Sequence, residues 1–186
     1  VISSRNPQER KMLGAPMNKQ VDMDQYVKKT MIENNEAQKD SINGMMMGEA
    51  YQCSYEEQFM TFAFPVQEWQ SNRVGVMQGG LVGVAFDITV SALARFFADT
   101  QFIPTVSLEM KYLKPIILGD TLLVKAKAVS LGKRISHFYL EGTSKKTGKI
   151  LVTGSAVYLN IDTQNPGKAP IENGVLKRIL NNSDRF

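Results

Sequence analysis

The sequence predicts an α+β domain in which a curved antiparallel sheet wraps around one long central helix. Three observations predict it: residues 80–98 are apolar on every face, four alternating segments follow up to residue 161, and short turns join those segments. A helix that is apolar all round is one enclosed by protein. Short links between strands favour antiparallel pairing, so the enclosing layer is a sheet of sequential neighbours.

In chain order, residues 1–18 are mixed and polar, with Pro7, Gly14 and Pro16, and read as a loosely docked arm. Over residues 19–38, Val21, Met23, Tyr26, Val27, Thr30 and Met31 recur at helical spacing among charges, which predicts a surface amphipathic helix leaning on a core built elsewhere. Asn43-Gly44 is expected to end that segment. Residues 45–66 carry Tyr51, Phe59, Phe62 and Phe64 without a helical stripe, so a strand or strand pair is expected, stopped at Pro65. The stretch from Ser71 to Gly75 reads as a loop, and Gly79-Gly80 as a turn feeding the central helix.

After the helix, Val106, Leu108, Met110 and Tyr112 alternate with Ser107, Glu109 and Lys111 up to Lys114-Pro115. Leu122, Val124, Ala126 and Ala128 alternate with lysines up to Leu131-Gly132-Lys133. Residues 135–143 then pass through Lys145-Lys146-Thr147-Gly148 into residues 150–161, a hairpin. Beyond Asp162, a linker with Pro and Gly leads to a short helical tail around residues 172–180. The organisation is therefore 1–45 arm and amphipathic helix, 46–161 main domain, and 162–186 tail. One sheet rarely covers an all-apolar helix completely, so an obligate dimer is expected, with two sheets side by side.

The chain has 186 residues and a mass of 20.8 kDa, of which 43% are hydrophobic and 22% charged, values that exclude a mainly disordered or low-complexity polypeptide. Scattered basic residues give +4 and a pI near 9.1, enough to attract an anionic small molecule, with no nucleic-acid-binding signature. Cys53 stands alone and no Cys/His cluster has metal spacing, which fits a reducing, cytoplasmic setting. The first residues show no secretory pattern and no initiator Met, which reads as a trimmed or incomplete start. Asp87 and Arg95 interrupt the apolar stretch 81–98; each costs roughly 2.5 to 3.5 kcal/mol near a bilayer centre, so a buried helix is preferred to a membrane span.

Asp87 is the most informative residue. An unpaired carboxylate in a buried helix costs several kcal/mol unless its pKa rises or donors surround it. Arg95, eight residues on, lies roughly 12 Å along the helix and is no obvious partner. Ser91, at i+4, shares the face of Asp87 and is positioned to hydrogen-bond it or a nearby water. The plainer alternative is a satisfied polar residue facing a wet groove; the scarcity of other polar residues favours an intended carboxylate. Gln78-Gly79-Gly80 opens the same helix, where unpaired N–H groups and the positive dipole end suit an oxyanion and no side chain is expected to block approach. A tight turn is the competing use of the glycines.

Asn72-Arg73-Val74-Gly75-Val76-Met77-Gln78-Gly79-Gly80-Leu81, Asp87 eight residues after Gly79, the run from Thr105 to Pro115, Gly119-Asp120 and Gly132-Lys133-Arg134 together resemble the hotdog-fold acyl-CoA thioesterases. The likeness is strongest to the phenylacetyl-CoA and 4-hydroxybenzoyl-CoA thioesterase branch and covers residues 66–161. It implies hydrolysis of a medium-sized or aromatic acyl-CoA in a homodimer, or in a homotetramer of two such dimers. It also implies two interface sites and no cofactor beyond the coenzyme A carried by the substrate. The Gly79 amide would bind the thioester carbonyl, with Gly80 beside it and Asn72 helping to position the site. Asp87 of the partner chain would act as nucleophile or general base, with Ser107 and Ser91 orienting water. Most of the branch has His where this chain has Gln78, a side chain expected to leave the Gly79 amide untouched. The single His137, in a later strand, argues against dehydratase chemistry. Lys111, Lys114, Lys133 and Arg134 would meet the phosphates of coenzyme A, their alternative being a solvated sheet edge. Met45, Met46 and Met47 would suit an adaptable acyl pocket, with ordinary core filling the more economical use. A non-catalytic acyl-CoA-binding protein is the alternative function.

Overall fold

The alternating segments form a six-stranded sheet, antiparallel throughout, in the order β1-β2-β4-β5-β6-β3. The elements are α1 (Lys19–Ala37), α2 (Ile42–Met45), β1 (Glu49–Ser54), β2 (Phe59–Pro65), α3 (Gly79–Ala98), β3 (Thr105–Tyr112), β4 (Thr121–Leu131), β5 (Ile135–Ser144) and β6 (Ile150–Leu159). They belong to a computed structural model that describes residues 18–100 and 102–160. The expected N-terminal arm, apart from its last residue, and the C-terminal tail lie outside the described residues.

The concave face of the sheet is apolar because every second strand residue is: Phe62 and Phe64 of β2, Leu122 and Val124 of β4, Phe138 and Leu140 of β5, and Val152 and Ala156 of β6 are all buried. Helix α3 lies in that concavity with Val82, Ala85, Phe86, Val90 and Leu93 buried against it. Each large side chain so enclosed contributes about 1.5 to 3 kcal/mol. Phe86 reaches the sheet because Gly142 and Gly154 leave room for its ring; a Cβ at Gly154 would lie 2.5 Å from the Glu109 carbonyl oxygen as well. The helix begins at Gly79, one residue earlier than the sequence indicates, and ends at Asp99, which takes the left-handed conformation at φ 49°.

The N-terminal helix is more deeply engaged than its polar composition indicates. Met23, Val27 and Met31, one turn apart, enter the same core as α3, while Val21 remains exposed. Tyr26 donates to the Ala92 carbonyl at 3.2 Å and stacks obliquely on Phe96. The Cys53 thiol donates to Asp24 at 3.1 Å; burial, together with that carboxylate, pushes its pKa up to about 12 and keeps it neutral. Asn43-Gly44 does not end the segment but lies inside the short helix α2, where Gly44 packs directly on the backbone of Gln38. Of the three consecutive methionines, only Met46 is buried.

Two surfaces are left incompletely covered. Along α3, Val84, Asp87, Ser91 and Arg95 recur at helical spacing and are only half-buried. Strand β3 is an edge, hydrogen-bonded to β6 on one side, and exposes Val106 and Tyr112.

At the opposite end of β4, Asp120 is buried and ties the turn before it to the β5–β6 hairpin. It accepts from the Ser144 hydroxyl and from the N–H groups of Thr121 and Lys146. Burial works to raise its pKa, but these donors and the Lys146 charge prevail and hold it below the ordinary carboxylate value. Such a group stabilises the fold above its unfolded pKa, and the contribution is lost as the pH falls through the lowered folded value. Asp120→Ala is expected to cost about 2 to 3 kcal/mol at neutral pH in urea unfolding. The gap to the parent should begin to narrow below about pH 4 and go on narrowing as the pH falls through the lowered folded value.

Candidate active site

Asp87 sits midway along the half-open stripe of α3 and is met by the sheet. Thr105, the first residue of β3, and Tyr158, near the end of β6, are register partners, and both hydroxyls donate to Asp87 Oδ1, at 3.1 and 2.7 Å. Tyr158 is fully buried; burial first, and the Asp87 charge second, raise its phenol pKa, so it remains a protonated donor at any working pH. Asp87 Oδ2 accepts no hydrogen bond from the described residues. One carboxylate oxygen is anchored and the other is unengaged among the described residues.

The carboxylate opens onto a polar groove of about 240 Å³ whose walls include Asn34, Asn43, Ser91, Arg95, Ile103 and Thr105. Ser91 lines it as its spacing requires, but does not bond Asp87: its hydroxyl donates to the Ile88 carbonyl at 3.2 Å, the local bond a helical serine finds most readily. Arg95 does not reach Asp87 either; it donates to Ser91 Oγ at 3.3 Å. Ser107, expected to orient water beside the carboxylate, makes no hydrogen bond to it. A bulge between Thr105 and Ser107 leaves Thr105 opposite Tyr158 and Ser107 opposite Val157, so Thr105 takes the contact.

The start of α3 forms a second, apolar groove of about 380 Å³, lined by Val76, Met77, Gly79, Val82, Tyr112 and Lys114 among others. The Gly79 carbonyl accepts from Tyr112 at 2.7 Å. The Gly79 N–H is not untouched: the exposed Gln78 side chain folds back and accepts it through Oε1 at 3.1 Å. Gly80 is exposed, with open space where a Cβ would be. Asn72 acts on the loop that delivers these residues. Its Oδ1 accepts from the N–H of Val74 at 3.0 Å and of Val76 at 3.4 Å, in a turn completed by Gly75 at φ 77°. The loop is then fixed by bridges from Ser71 to Met77 and from Val76 to Ile117.

Within one chain the two grooves are separate. Gly79 and Asp87 lie on one helix, about 12 Å apart along its axis. The basic residues divide the same way. Lys111 and Lys114 are at the Gly79 end of β3, whereas Lys133 and Arg134 occupy the β4–β5 turn, at the end of the sheet that carries Tyr158 and Thr105. All four are exposed, as is His137 on β5.

Residues 74–151 match the thioesterase superfamily model. The zebrafish thioesterase superfamily member 2 structure superimposes with a TM-score of 0.64 at 17% identity, covering 73% of this chain and 96% of that one. The chain has the hotdog fold. A second hotdog structure, the PaaI protein from the phenylacetic acid degradation operon of E. coli, gives a TM-score of 0.59 at 15% identity, over 73% of this chain and 96% of that one. In sequence, human acyl-coenzyme A thioesterase 13 is 30% identical over 91 residues, 48% of this chain and 64% of the relative. The chain thus spans slightly under two thirds of the length of that curated relative. The family-model match includes α3 and the sheet residues up to Leu151, and does not extend to α1, α2 or Tyr158.

Of the residues singled out from the sequence, the fold groups Asp87 with Ser91, and Gly79 with Lys114, in two separate grooves. Thr105 and Tyr158 were not foreseen, because 18 and 71 residues separate them from Asp87. Asn34 and Asn43 carried no chemical signal of their own.

Proposed function

We propose that this protein hydrolyses acyl-CoA thioesters to the free acid and coenzyme A, in a homodimer whose two sites each combine the Asp87 groove of one chain with the Gly79 groove of the other. The observation that carries this reading is the Asp87 carboxylate itself, which lines a groove with Oδ1 held by Tyr158 and Thr105 and Oδ2 unengaged among the described residues. The name of the human relative supports acyl-CoA as the substrate. The division of the half-sites supports a second chain, as do the free β3 edge and the half-open stripe of α3.

In the proposed reaction, the thioester carbonyl oxygen lies against the Gly79 N–H at the positive end of α3, which stabilises negative charge as it develops there. The Gln78 amide leaves that N–H when the carbonyl arrives; its exposed position makes the rotation cheap. Asp87 Oδ2 either attacks the carbonyl carbon or takes a proton from an attacking water. In both routes the carbon–sulfur bond breaks, the thiolate of coenzyme A leaves and is protonated, and water supplies the second oxygen of the acid. Asn72 positions the loop, and Lys111 and Lys114 of one chain with Lys133 and Arg134 of the other are placed to meet phosphates.

Thiol release from a panel of acyl-CoAs tests the activity, and light scattering tests the assembly. Turnover by a dimer or a higher even oligomer is the expected result. No thiol from any member of the panel, or a stable folded monomer at micromolar concentration, would contradict the proposal. The Gln78 contact on the Gly79 N–H favours one second reading, a non-catalytic acyl-CoA-binding protein. That reading expects acyl-CoA to raise the melting temperature without releasing thiol.

A further inference from the structure

The groove beside Asp87 holds more charge than hydrolysis requires. One turn beyond Asp87 lies Ser91, and one turn beyond that Arg95, whose side chain leans back toward the helix start and bonds Ser91. The guanidinium is thus brought to about one helical turn, roughly 5 Å, from the level of Asp87. Its Nε is buried and has no hydrogen-bond partner, and no carboxylate forms an ion pair with it among the described residues. An arginine half-enclosed by protein, lining a groove with its charge unpaired and its Nε without an acceptor, has donor capacity for an anion from outside the chain.

The opposite wall points the same way. Asn34 of α1 and Asn43 of α2 line this groove; the Asn34 side chain makes no hydrogen bond among the described residues, and the Asn43 amide gives one of its two N–H groups to Gln38 Oε1 at 3.3 Å. Both asparagines lie outside residues 74–151, the stretch that matches the thioesterase model, and they complete the groove with amide groups. Phe102 and Ile103 supply its apolar part. At about 240 Å³ the groove on one chain has room for a short acyl group.

We infer that Arg95, with Asn34 and Asn43, forms a carboxylate-binding subsite for the far end of the acyl group, so that the preferred substrates are CoA thioesters of short dicarboxylic acids. This rests on the proposed thioesterase reading and deepens it, replacing the medium-sized or aromatic acyl group that the family resemblance implies. The spacing agrees: a four- or five-carbon dicarboxylic acyl group spans roughly one helical turn between its two carbonyl carbons, the interval between the levels of Asp87 and the guanidinium. The planar guanidinium fork is also the donor that matches a carboxylate best. The phosphates of coenzyme A are the other anionic source, and the exposed Lys133 and Arg134 are better placed for them.

The test compares succinyl-CoA and glutaryl-CoA with butyryl-CoA and pentanoyl-CoA, in the parent chain and in Arg95→Met and Arg95→Lys. The expected result is a kcat/KM at least tenfold higher for the dicarboxylic thioesters. That ratio collapses toward one in Arg95→Met, chiefly through KM, and is partly kept in Arg95→Lys. A preference for the neutral thioesters, or an equal loss on both classes in Arg95→Met, would overturn the inference. Thermal shifts with free coenzyme A form a further arm: if Arg95→Met weakens coenzyme A itself as much as succinyl-CoA, the guanidinium holds phosphate and the subsite is refuted. If no thioester is hydrolysed at all, the thioesterase reading falls. The same shifts still decide the subsite, supporting it if succinyl-CoA stabilises the parent more than butyryl-CoA and refuting it if the two are equal.

Discussion

Asp87→Asn lowers kcat about a thousandfold while KM moves by no more than about threefold, because it removes only the charge and the reactive lone pairs. The amide keeps the carboxylate's shape, and its oxygen can still accept from Tyr158 and Thr105, so the groove and the pose of the thioester are retained. What is lost is the atom that attacks, or that takes the proton from water. The folded protein should be unharmed: a half-buried negative charge is replaced by a neutral group, and the melting temperature is expected at or above that of the parent. Steady-state thiol release and thermal unfolding measure the two halves of this expectation. A kcat within tenfold of the parent would remove Asp87 from the mechanism.

Gly79→Pro is expected to lower kcat by about a hundredfold to a thousandfold, the usual cost of losing one oxyanion donor. Proline is suited to the test because Gly79 is the first residue of α3, where proline's fixed φ fits the helix and its missing N–H breaks no helical bond. Gln78 already has extended backbone angles, as a residue preceding proline prefers. The added carbons approach the Tyr112 hydroxyl, which a Cβ at this position would meet at 3.3 Å, so a small shift of that exposed side chain is needed. The helix, the loop and the Asp87 groove persist, and the change in rate reports on the amide. A Gly79→Pro variant with unimpaired kcat would show that the carbonyl is polarised elsewhere.

The fold was legible where periodicity is a direct consequence of packing. The alternation from Leu122 to Ala128 marks one buried sheet face, that from Val106 to Tyr112 marks a strand although the edge leaves Val106 and Tyr112 exposed, and the largely apolar surface of residues 80–98 marks the helix inside the sheet. Asp87 was legible for the converse reason, as a charge where burial forbids one without a purpose. Its partners were not. Tyr158 reads as one more inward-facing strand residue, and the choice of Thr105 over Ser107 is made by a single bulge that no local pattern announces. Gln78 also escaped, since nothing in its sequence neighbourhood shows that it folds back on the next amide. The amphipathic helix α1 was recognised by its stripe of Met23, Val27 and Met31, yet its depth was underestimated. The position of Asn34 at the groove follows only from how that stripe docks.

The two variants, each inactive alone, can be combined in one experiment on the central claim that each site is shared between two chains. Differently tagged Asp87→Asn and Gly79→Pro chains are co-expressed, and the mixed dimer is purified through both tags. In such a dimer one site receives both altered residues and the other receives the intact Gly79 of one chain and the intact Asp87 of its partner. The account predicts recovery of about half the parent's thiol-release rate per dimer. A mixed dimer as inactive as its two parents would contradict it, and would place the carbonyl-binding amide and the carboxylate in the same chain or outside the reaction.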